Sequence, residues 1–174
     1  ETTSVLIETD NVATPEIHNA LIDSINNLSD VDNVLVFAGN AAAESVVGKL
    51  GAMLAPPSAS PQATPQMPDM ALIGQLTGYG VQIMNGQGLD ALRVSDSGNV
   101  EGLYNYLLQT DYDLFSTSLY VDEASSISAM QVRITTSAGT SGAAQIRDDL
   151  YIAFKPLSDL GVFAVSYTHL TLPT

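Results

Sequence analysis

The sequence contains no cysteine, which excludes disulfide bonds, thiolate metal sites and cysteine nucleophiles. It also contains no tryptophan, and aromatic residues make up only 6% of the chain. Hydrophobic residues nevertheless account for 45%, which is enough to form a core. That core must therefore consist mainly of aliphatic side chains and methionine.

Positive charge is scarce as well. The chain has five Lys and Arg residues and 19 Asp and Glu residues, which gives a formal net charge of −14. Because phosphate binding needs clustered Lys and Arg, we predict no nucleic-acid partner, and an anionic membrane surface would also repel the chain. Two explanations of the acidity stay open, namely the solvated surface of an ordinary domain and adaptation to a salt-rich host.

No apolar run approaches the ~20 residues that span a bilayer, and no charged-then-apolar leader precedes the first strand pattern. Taken alone, these absences indicate a soluble protein. However, the chain begins at Glu1 rather than at a methionine and ends in an atypical segment. We therefore expect it to be a fragment of a longer protein.

Residues 1–39 have the pattern of a strand–helix–strand unit. Residues 5–7 (Val-Leu-Ile) predict a strand. Thr14 is a good helix N-cap, and Pro15 suits the first helical position. The apolar face of the helix has the spacing i, i+4, i+8, i+11, with Ile17, Leu21, Ile25 and Leu28. The run Val34–Phe37 predicts a second strand, which ends before Gly39.

Residues 116–165 repeat this unit after a hairpin. The segments SLYVDE and SAMQVRITT predict two strands joined by a turn at Asp122–Ser126, and Met130, Val132 and Ile134 alternate with polar residues. A helix with Thr140 or Ser141 as N-cap follows. Its apolar face has the same spacing as the first, with Ile146, Leu150, Phe154 and Leu157. The segment GVFAV predicts the last strand.

Two such units predict an α+β fold, specifically a ferredoxin-like split βαβ sandwich with both helices on one face of a mainly antiparallel sheet. Residues 40–115 separate the units and predict a helical insert. Its three helical segments are AAAESVVGKLGAMLA, DMALIGQLTGYGVQIM and NVEGLYNYLLQTDYDLF. A Pro-rich linker occupies residues 55–68, between the first two of them.

The order of these segments is similar to that of one protein family. The order consists of four segments: an opening SVLIETDNVATPEIHNAL, a helical insert with prolines, a YVDEASSISAMQVRITT hairpin and a closing QIRDDLYIAFKPLSDLGVFAV. Together they resemble the large extracytoplasmic loop of RND-superfamily exporters, in particular the hydrophobe/amphiphile efflux and MMPL-type branch. The resemblance covers residues 3–164 and rests on the order of segments rather than on one diagnostic motif.

The resemblance implies a porter-type domain on the extracytoplasmic side of the cell membrane. Such a domain guides or gates hydrophobic or amphiphilic small molecules or lipids, and the ion-gradient-driven membrane part of the same chain moves it as a rigid body. The family's proton-relay carboxylates lie in transmembrane helices, so no catalytic, cofactor-binding or metal-binding residue carries over, and no enzymatic activity is implied.

Several alternatives stay open. A freestanding ferredoxin-like module that binds a small ligand or acts as a sensor is one. A related RND protein in protein export or lipid trafficking is another, and a homo-oligomer is compatible with each. An enzyme is the least favoured class, because no nucleophile, base and orienting group can be assembled from the sequence.

Four methionines are the candidates for a substrate path, because Met adapts to irregular apolar ligands. They are Met53, Met67, Met70 and Met84. Packing in the core of the insert is the competing explanation, and it is the favoured one for any single methionine.

The remaining polar features predict surface roles. His18 follows Ile17 and lies off the apolar face, so we expect it to face solvent. Ser95–Asn99 lacks the spacing of a calcium loop, and residues 137–144 lack a phosphate-binding glycine pattern. Three carboxylate pairs are expected to be solvated, namely Asp111/Asp113, Asp122/Glu123 and Asp148/Asp149.

The final residues, VSYTHLTLPT, contain no carboxylate and differ from the acidic body of the chain. Along their whole length they resemble the translation of a transposase sequencing adapter. We therefore expect residues 166–174, together with Val165, to be a non-native tail. The alternation within Val165–Leu170 still permits an edge strand.

Overall fold

The computed structural model describes residues 2–8, 11–28, 43–54, 69–86, 88–135, 143–162 and 164–166. Within these ranges the elements are β1 (Thr2–Glu8), α1 (Pro15–Asn27), β2 (Ala43–Glu44), α2 (Val46–Leu54), α3 (Met70–Gly78), α4 (Val100–Thr110), α5 (Tyr112–Phe115), β3 (Leu119–Val121), β4 (Ile127–Thr135), α6 (Ala143–Ala153), α7 (Lys155–Ser158) and β5 (Ala164–Ser166). Two 3₁₀ helices, Ile83–Asn85 and Gly88–Leu92, lie between α3 and α4. The chain is thus an α+β protein, as its sequence predicts.

The strands form one sheet with the order β2–β4–β1–β5, in which β3 also pairs with β4. Every pairing is antiparallel. β1 and β4 pair from Thr2 opposite Thr135 to Glu8 opposite Ala129. Because β1 lies between β4 and β5, the latter two strands run parallel to each other.

β2 and β3 share one edge of β4. Glu44 of β2 lies opposite Arg133, and Leu119 of β3 lies opposite Met130. Since β1 occupies the other edge of β4, β2 and β3 must both lie on the same side. The segment that contains α2, α3, α4 and α5 therefore leaves the sheet and returns to it at a single edge.

The predicted alternation in β4 is confirmed. Met130, Val132 and Ile134 are buried, whereas Arg133 between them is exposed. The predicted hairpin is also present, because β3 pairs with β4 across the expected turn. Asp122 stabilises that turn by accepting hydrogen bonds from the backbone N–H groups of two residues that follow it.

The helix α1 begins as its sequence predicts. Thr14 Oγ1 accepts a hydrogen bond from the Ile17 N–H at 3.2 Å, and Pro15 is the first helical residue. The predicted apolar face is buried throughout, with Ile17, Leu21, Ile25 and Leu28 each at most 6% exposed.

The expectation of one continuous helix from Ile146 to Leu157 is wrong. The helix α6 ends at Ala153, and α7 begins at Lys155. The cause is Pro156, which has no N–H to donate to the preceding turn. Phe154 and Leu157 are nevertheless fully buried, so the apolar spacing survives the break. The side chain of Ile146 lies outside the described residues.

The insert is less helical than predicted. Ala43 and Glu44 form β2, and α2 begins only at Val46. The helix α3 stops at Gly78, because the chain turns at Gly80, where φ is +99°, and Val81 pairs with Val94 in an isolated β-bridge.

The third predicted helix of the insert is divided into α4 and α5. Asp111 separates them, and its Oδ1 accepts a hydrogen bond from the Leu114 N–H at 3.1 Å. Asp111 thus starts a new helix inside a continuous apolar pattern, because its side chain competes with the helical backbone bonds.

Several predictions fall on parts of the chain that lie outside the described residues. These are the strand Val34–Phe37, the linker 55–68 and the N-cap at Thr140 or Ser141. The tail is covered only at its start, since β5 includes Val165 and Ser166 and pairs with β1.

One hydrophobic cluster joins the sheet, the helices and the insert. It contains Ile7 and Val132 of the sheet, Leu21 and Leu150 of two helices, and Leu107 of the insert. The insert is therefore part of the same core.

Replacement of Thr14 by alanine should destabilise the fold by about 1 kcal/mol, because the Ile17 N–H loses its acceptor. Urea unfolding followed by circular dichroism measures this change. Thr14→Ser keeps the hydroxyl oxygen and should remain close to the parent chain. Equal losses in both variants would contradict the capping role.

Candidate functional site

A line of polar contacts joins α1 to the insert, and we name it the α1 seam. It links residues that are 70 to 86 positions apart in the chain. Its members are His18, Asn19 and Asp23 of α1 with Leu92, Arg93, Val94 and Tyr104 of the insert.

His18 lies at the centre of the α1 seam, and its side chain is fully buried. Nδ1 is 2.8 Å from the Tyr104 hydroxyl oxygen, and Nε2 is 2.9 Å from the Leu92 carbonyl oxygen. Because a carbonyl oxygen can only accept, Nε2 must carry the proton and Nδ1 must accept from the Tyr104 hydroxyl. Both ring nitrogens are thereby paired, which removes the main cost of burying an imidazole.

The centre of the α1 seam is uncharged at neutral pH. Burial lowers the pKa of His18 from 6.5 to about 4, since an imidazolium would lose its hydration there. The hydrogen bond to Leu92 opposes this shift, and the positive charge of Arg93 adds to it. Burial also raises the pKa of the Tyr104 hydroxyl.

Asn19 and Arg93 extend the seam on either side of His18. The Asn19 side chain holds both polar groups of Val94, since Nδ2 donates to its carbonyl oxygen and Oδ1 accepts from its N–H, each at 2.9 Å. Arg93 pairs with Asp23 of α1 and, at 2.8 Å, with Asp90. Arg93 is 31% exposed, so these ion pairs add little stability and the Asn19 contacts define the geometry.

The expectation that His18 faces solvent is wrong. It assumed that α1 has one buried face, whereas a second side of α1 contacts the 3₁₀ helix Gly88–Leu92. The sequence contains one signal of this second face, because the apolar residue Ile22 lies one helical turn after His18. In the structure Ile22 is fully buried.

A second polar cluster surrounds Lys49 of α2. Its Nζ donates to the Leu114 carbonyl oxygen at 2.9 Å and to Ser118 Oγ at 2.7 Å, and it also contacts Thr117 Oγ1. Burial lowers the pKa of Lys49, an effect that Glu44 opposes. Ser118 is only 2% exposed, so it is not an accessible nucleophile. Lys49 anchors α2 to α5 and to the residues that directly follow α5.

The four candidate methionines do not share one environment. Met53 is half-buried and packs against the core from α2, whereas Met70, the first residue of α3, is 66% exposed. Met67 and the side chain of Met84 lie outside the described residues. Their assignment to a substrate path therefore stays a prediction.

The carboxylate pairs lie at the surface, as predicted. All their members are exposed except Asp149, which is half-buried and accepts a hydrogen bond from Gln145. Asp148 pairs with Arg147.

Ser95–Asn99 forms a turn closed by the Gly98 N–H donating to the Ser95 carbonyl oxygen at 2.8 Å. Within the described ranges, no three His, Asp or Glu side chains are grouped so that they could hold a metal ion.

A small open pocket of about 300 Å³ lies where α3 ends, on the surface of the insert. Its lining comes from the last turn of α3, the turn that follows α3, the first 3₁₀ helix, and Ser95, which directly follows the bridge residue Val94. The lining residues are Thr77, Gly80, Val81, Gln82, Ile83, Asn85 and Ser95. No motif in the sequence predicts a site here.

Comparison of the chain with protein-family models, with curated proteins and with solved structures finds no match. None of the helices in the described ranges has the length and apolar character to cross a membrane.

The free energy of unfolding should fall as the pH is lowered from 6.5 towards 4. In that window the unfolded chain protonates His18 and the folded chain does not, so acid favours unfolding. The total loss from this residue is about 3 kcal/mol. Above pH 6.5 the contribution is constant, and below pH 4 it levels off. Urea unfolding at a series of pH values measures the slope.

The control for this pH dependence is His18→Gln, which replaces the imidazole by an amide that can donate and accept hydrogen bonds but does not titrate. The carboxylates contribute equally to both proteins, so the difference between the two slopes isolates His18. Parallel pH profiles for the parent chain and the variant would contradict a buried, neutral imidazole.

Tyr104→Phe should destabilise the fold by about 1–3 kcal/mol, because it leaves Nδ1 of His18 buried without a donor. Tyr106→Phe is the matched control on α4, since in the described part of the chain its hydroxyl has no hydrogen-bond partner. Urea unfolding should show a lower midpoint for the first variant only. Similar midpoints for both variants would show that the Tyr104 hydroxyl contributes nothing.

Proposed function

We propose that this chain is an extracytoplasmic porter-type domain of an ion-gradient-driven RND-type exporter. In this proposal it guides or gates hydrophobic or amphiphilic compounds on the outer side of the cell membrane. The rest of the same transporter chain supplies the membrane helices and the proton-relay carboxylates. The domain itself carries out no chemical step.

The observation that carries the proposal is the order of the strands. The resemblance to exporter loops requires two interleaved βαβ units, and this requires the first strand to lie between the two strands of the second unit. β1 lies between β4 and β5, with α6 and α7 in the crossover. Of the three residues of β5, Ala164 precedes the adapter-like tail, and it lies opposite Leu6 of β1. This order supports a ferredoxin-like split βαβ sandwich.

The attachment of the insert also supports a porter. The insert begins at β2 and ends at β3, both on one edge of β4, so it extends from the sheet without interrupting it. Beyond that edge, the α1 seam and the shared core hold the insert to α1. A domain held in this way can move as one rigid body. A displacement of the two ends of the chain would then also displace the surface of the insert.

The complete gene tests this proposal directly. We expect the coding sequence on both sides of this segment to encode apolar helices of about 20 residues. The native sequence should also replace the adapter-like tail after residue 164. An in-frame stop codon soon after residue 164, with no such helix on either side, would overturn the proposal.

A functional readout accompanies the gene sequence. Cells that lack their own exporters should accumulate less of a lipophilic dye when they express the full-length protein, and a frameshifted gene is the control. A start codon directly before Glu1, without membrane helices, would instead favour the freestanding ligand-binding module.

A further inference from the structure

The pocket at the end of α3 has a rigid floor. Val81 is 2% exposed and forms a β-bridge with Val94. The Gln82 N–H donates to the Arg93 carbonyl oxygen at 2.8 Å, and the Ser95 N–H donates to the Gly80 carbonyl oxygen at 2.9 Å. A floor fixed in this way does not need to be ordered when a ligand binds, which favours affinity.

The α1 seam holds this floor from behind. Asn19 binds both polar groups of Val94, the residue that pairs with Val81. A glycine is also required, because Gly80 has a φ of +99° and a Cβ there would lie 2.7 Å from Gly98 Cα. The pocket is therefore formed by a backbone arrangement that exists before any ligand arrives.

The rim of the pocket offers unused hydrogen-bonding groups. Gln82 and Asn85 each have an amide that can donate and accept, and Ser95 has a hydroxyl. Within the described part of the chain, none of these three side chains has a hydrogen-bond partner. They are accordingly free to bind a ligand without first breaking contacts with the protein.

The lining carries no charge, although the chain has 19 acidic residues. A charged ligand group would find no counter-ion there and would lose hydration without compensation. Ile83 is half-buried and adds apolar surface beside the polar rim, whereas Val81 is almost fully buried in the floor. The volume of about 300 Å³ is at the lower end for ligand pockets, so it suits a head group rather than a whole amphiphile.

We infer that this pocket binds the uncharged polar head group of an amphiphilic molecule. Gln82, Asn85 and Ser95 hydrogen-bond the head group, and Ile83 contacts its first carbon atoms. The open side of the pocket leaves room for the apolar tail. This inference rests on the proposed function for its biological meaning, since it names the class of compound that the porter would guide, but the binding itself can be tested without the transporter.

Three detergents with the same tail and different head groups test the inference on the 174-residue chain. They are octyl glucoside, octyl sulfate and octyl trimethylammonium bromide, each used below the concentration at which it forms micelles. Backbone amide NMR should show saturable shifts at Val81, Gln82 and Ser95 with the glucoside. The two charged detergents should bind at least about tenfold more weakly. Equal affinities for all three would overturn the inference.

Substitutions separate the polar rim from general adsorption of detergent. The double variant Gln82→Ala, Asn85→Ala should lower the affinity for octyl glucoside about tenfold, since two hydrogen bonds are lost. Gln109→Ala removes an exposed amide of α4 outside the pocket and should have no effect. Unchanged affinity in the double variant would refute the role of the rim.

Two further measurements keep the outcome interpretable. Ser95→Ala is a smaller change that should weaken binding of the glucoside even if the double variant folds poorly, and amide spectra of each variant report folding directly. Failure of the proposed function would appear in the complete gene, whereas failure of the pocket would appear only in these titrations.

Discussion

The pairing of β1 with β4 is the interaction on which the rest of the structure depends. It joins the first described residues of the chain to a strand near its other end, from Thr2 opposite Thr135 to Glu8 opposite Ala129. Every other strand of the described sheet attaches to one of these two strands. Ile7 and Val132 from this pair are fully buried, so the same ladder also brings together the apolar faces around which α1, α6 and α7 can pack.

Polar contacts act differently from this apolar core. The burial of aliphatic side chains stabilises the fold, but the hydrophobic effect is non-directional and does not specify which segments meet. The hydrogen bonds of His18 and Asn19 determine which part of the insert lies against α1. Ion pairs contribute less, because those of Arg93, Arg133, Arg147 and Lys155 are all at least partly exposed. Among the acidic side chains that the structure describes, most form no ion pair, so solvent and dissolved salt screen their repulsion.

The sequence allowed accurate prediction wherever a structure depends on neighbours within a few residues. The alternation around Met130 and the apolar face of α1 belong to this class. Prediction failed where a single side chain competes with a regular pattern, as Pro156 and Asp111 do inside continuous apolar spacing. It also failed where the partner is distant, since His18 is buried by Tyr104, 86 positions away. The pocket could not be predicted for the same reason, because its floor is a contact between two turns and not a property of either one.

The central position of β1 has a consequence for folding during synthesis on the ribosome. Among the described strands β1 leaves the ribosome earliest, whereas β4 begins only at Ile127, so β1 cannot pair until β4 has been translated. At roughly 5–20 residues per second, this delay is on the order of ten seconds. Both partners of β1 in the described sheet, β4 and β5, are translated later. Until then Val5, Leu6 and Ile7 form a short, uncharged, β-prone stretch that other nascent chains could capture. β1 can therefore take its place in the sheet only after the 118 residues between it and β4 have been translated.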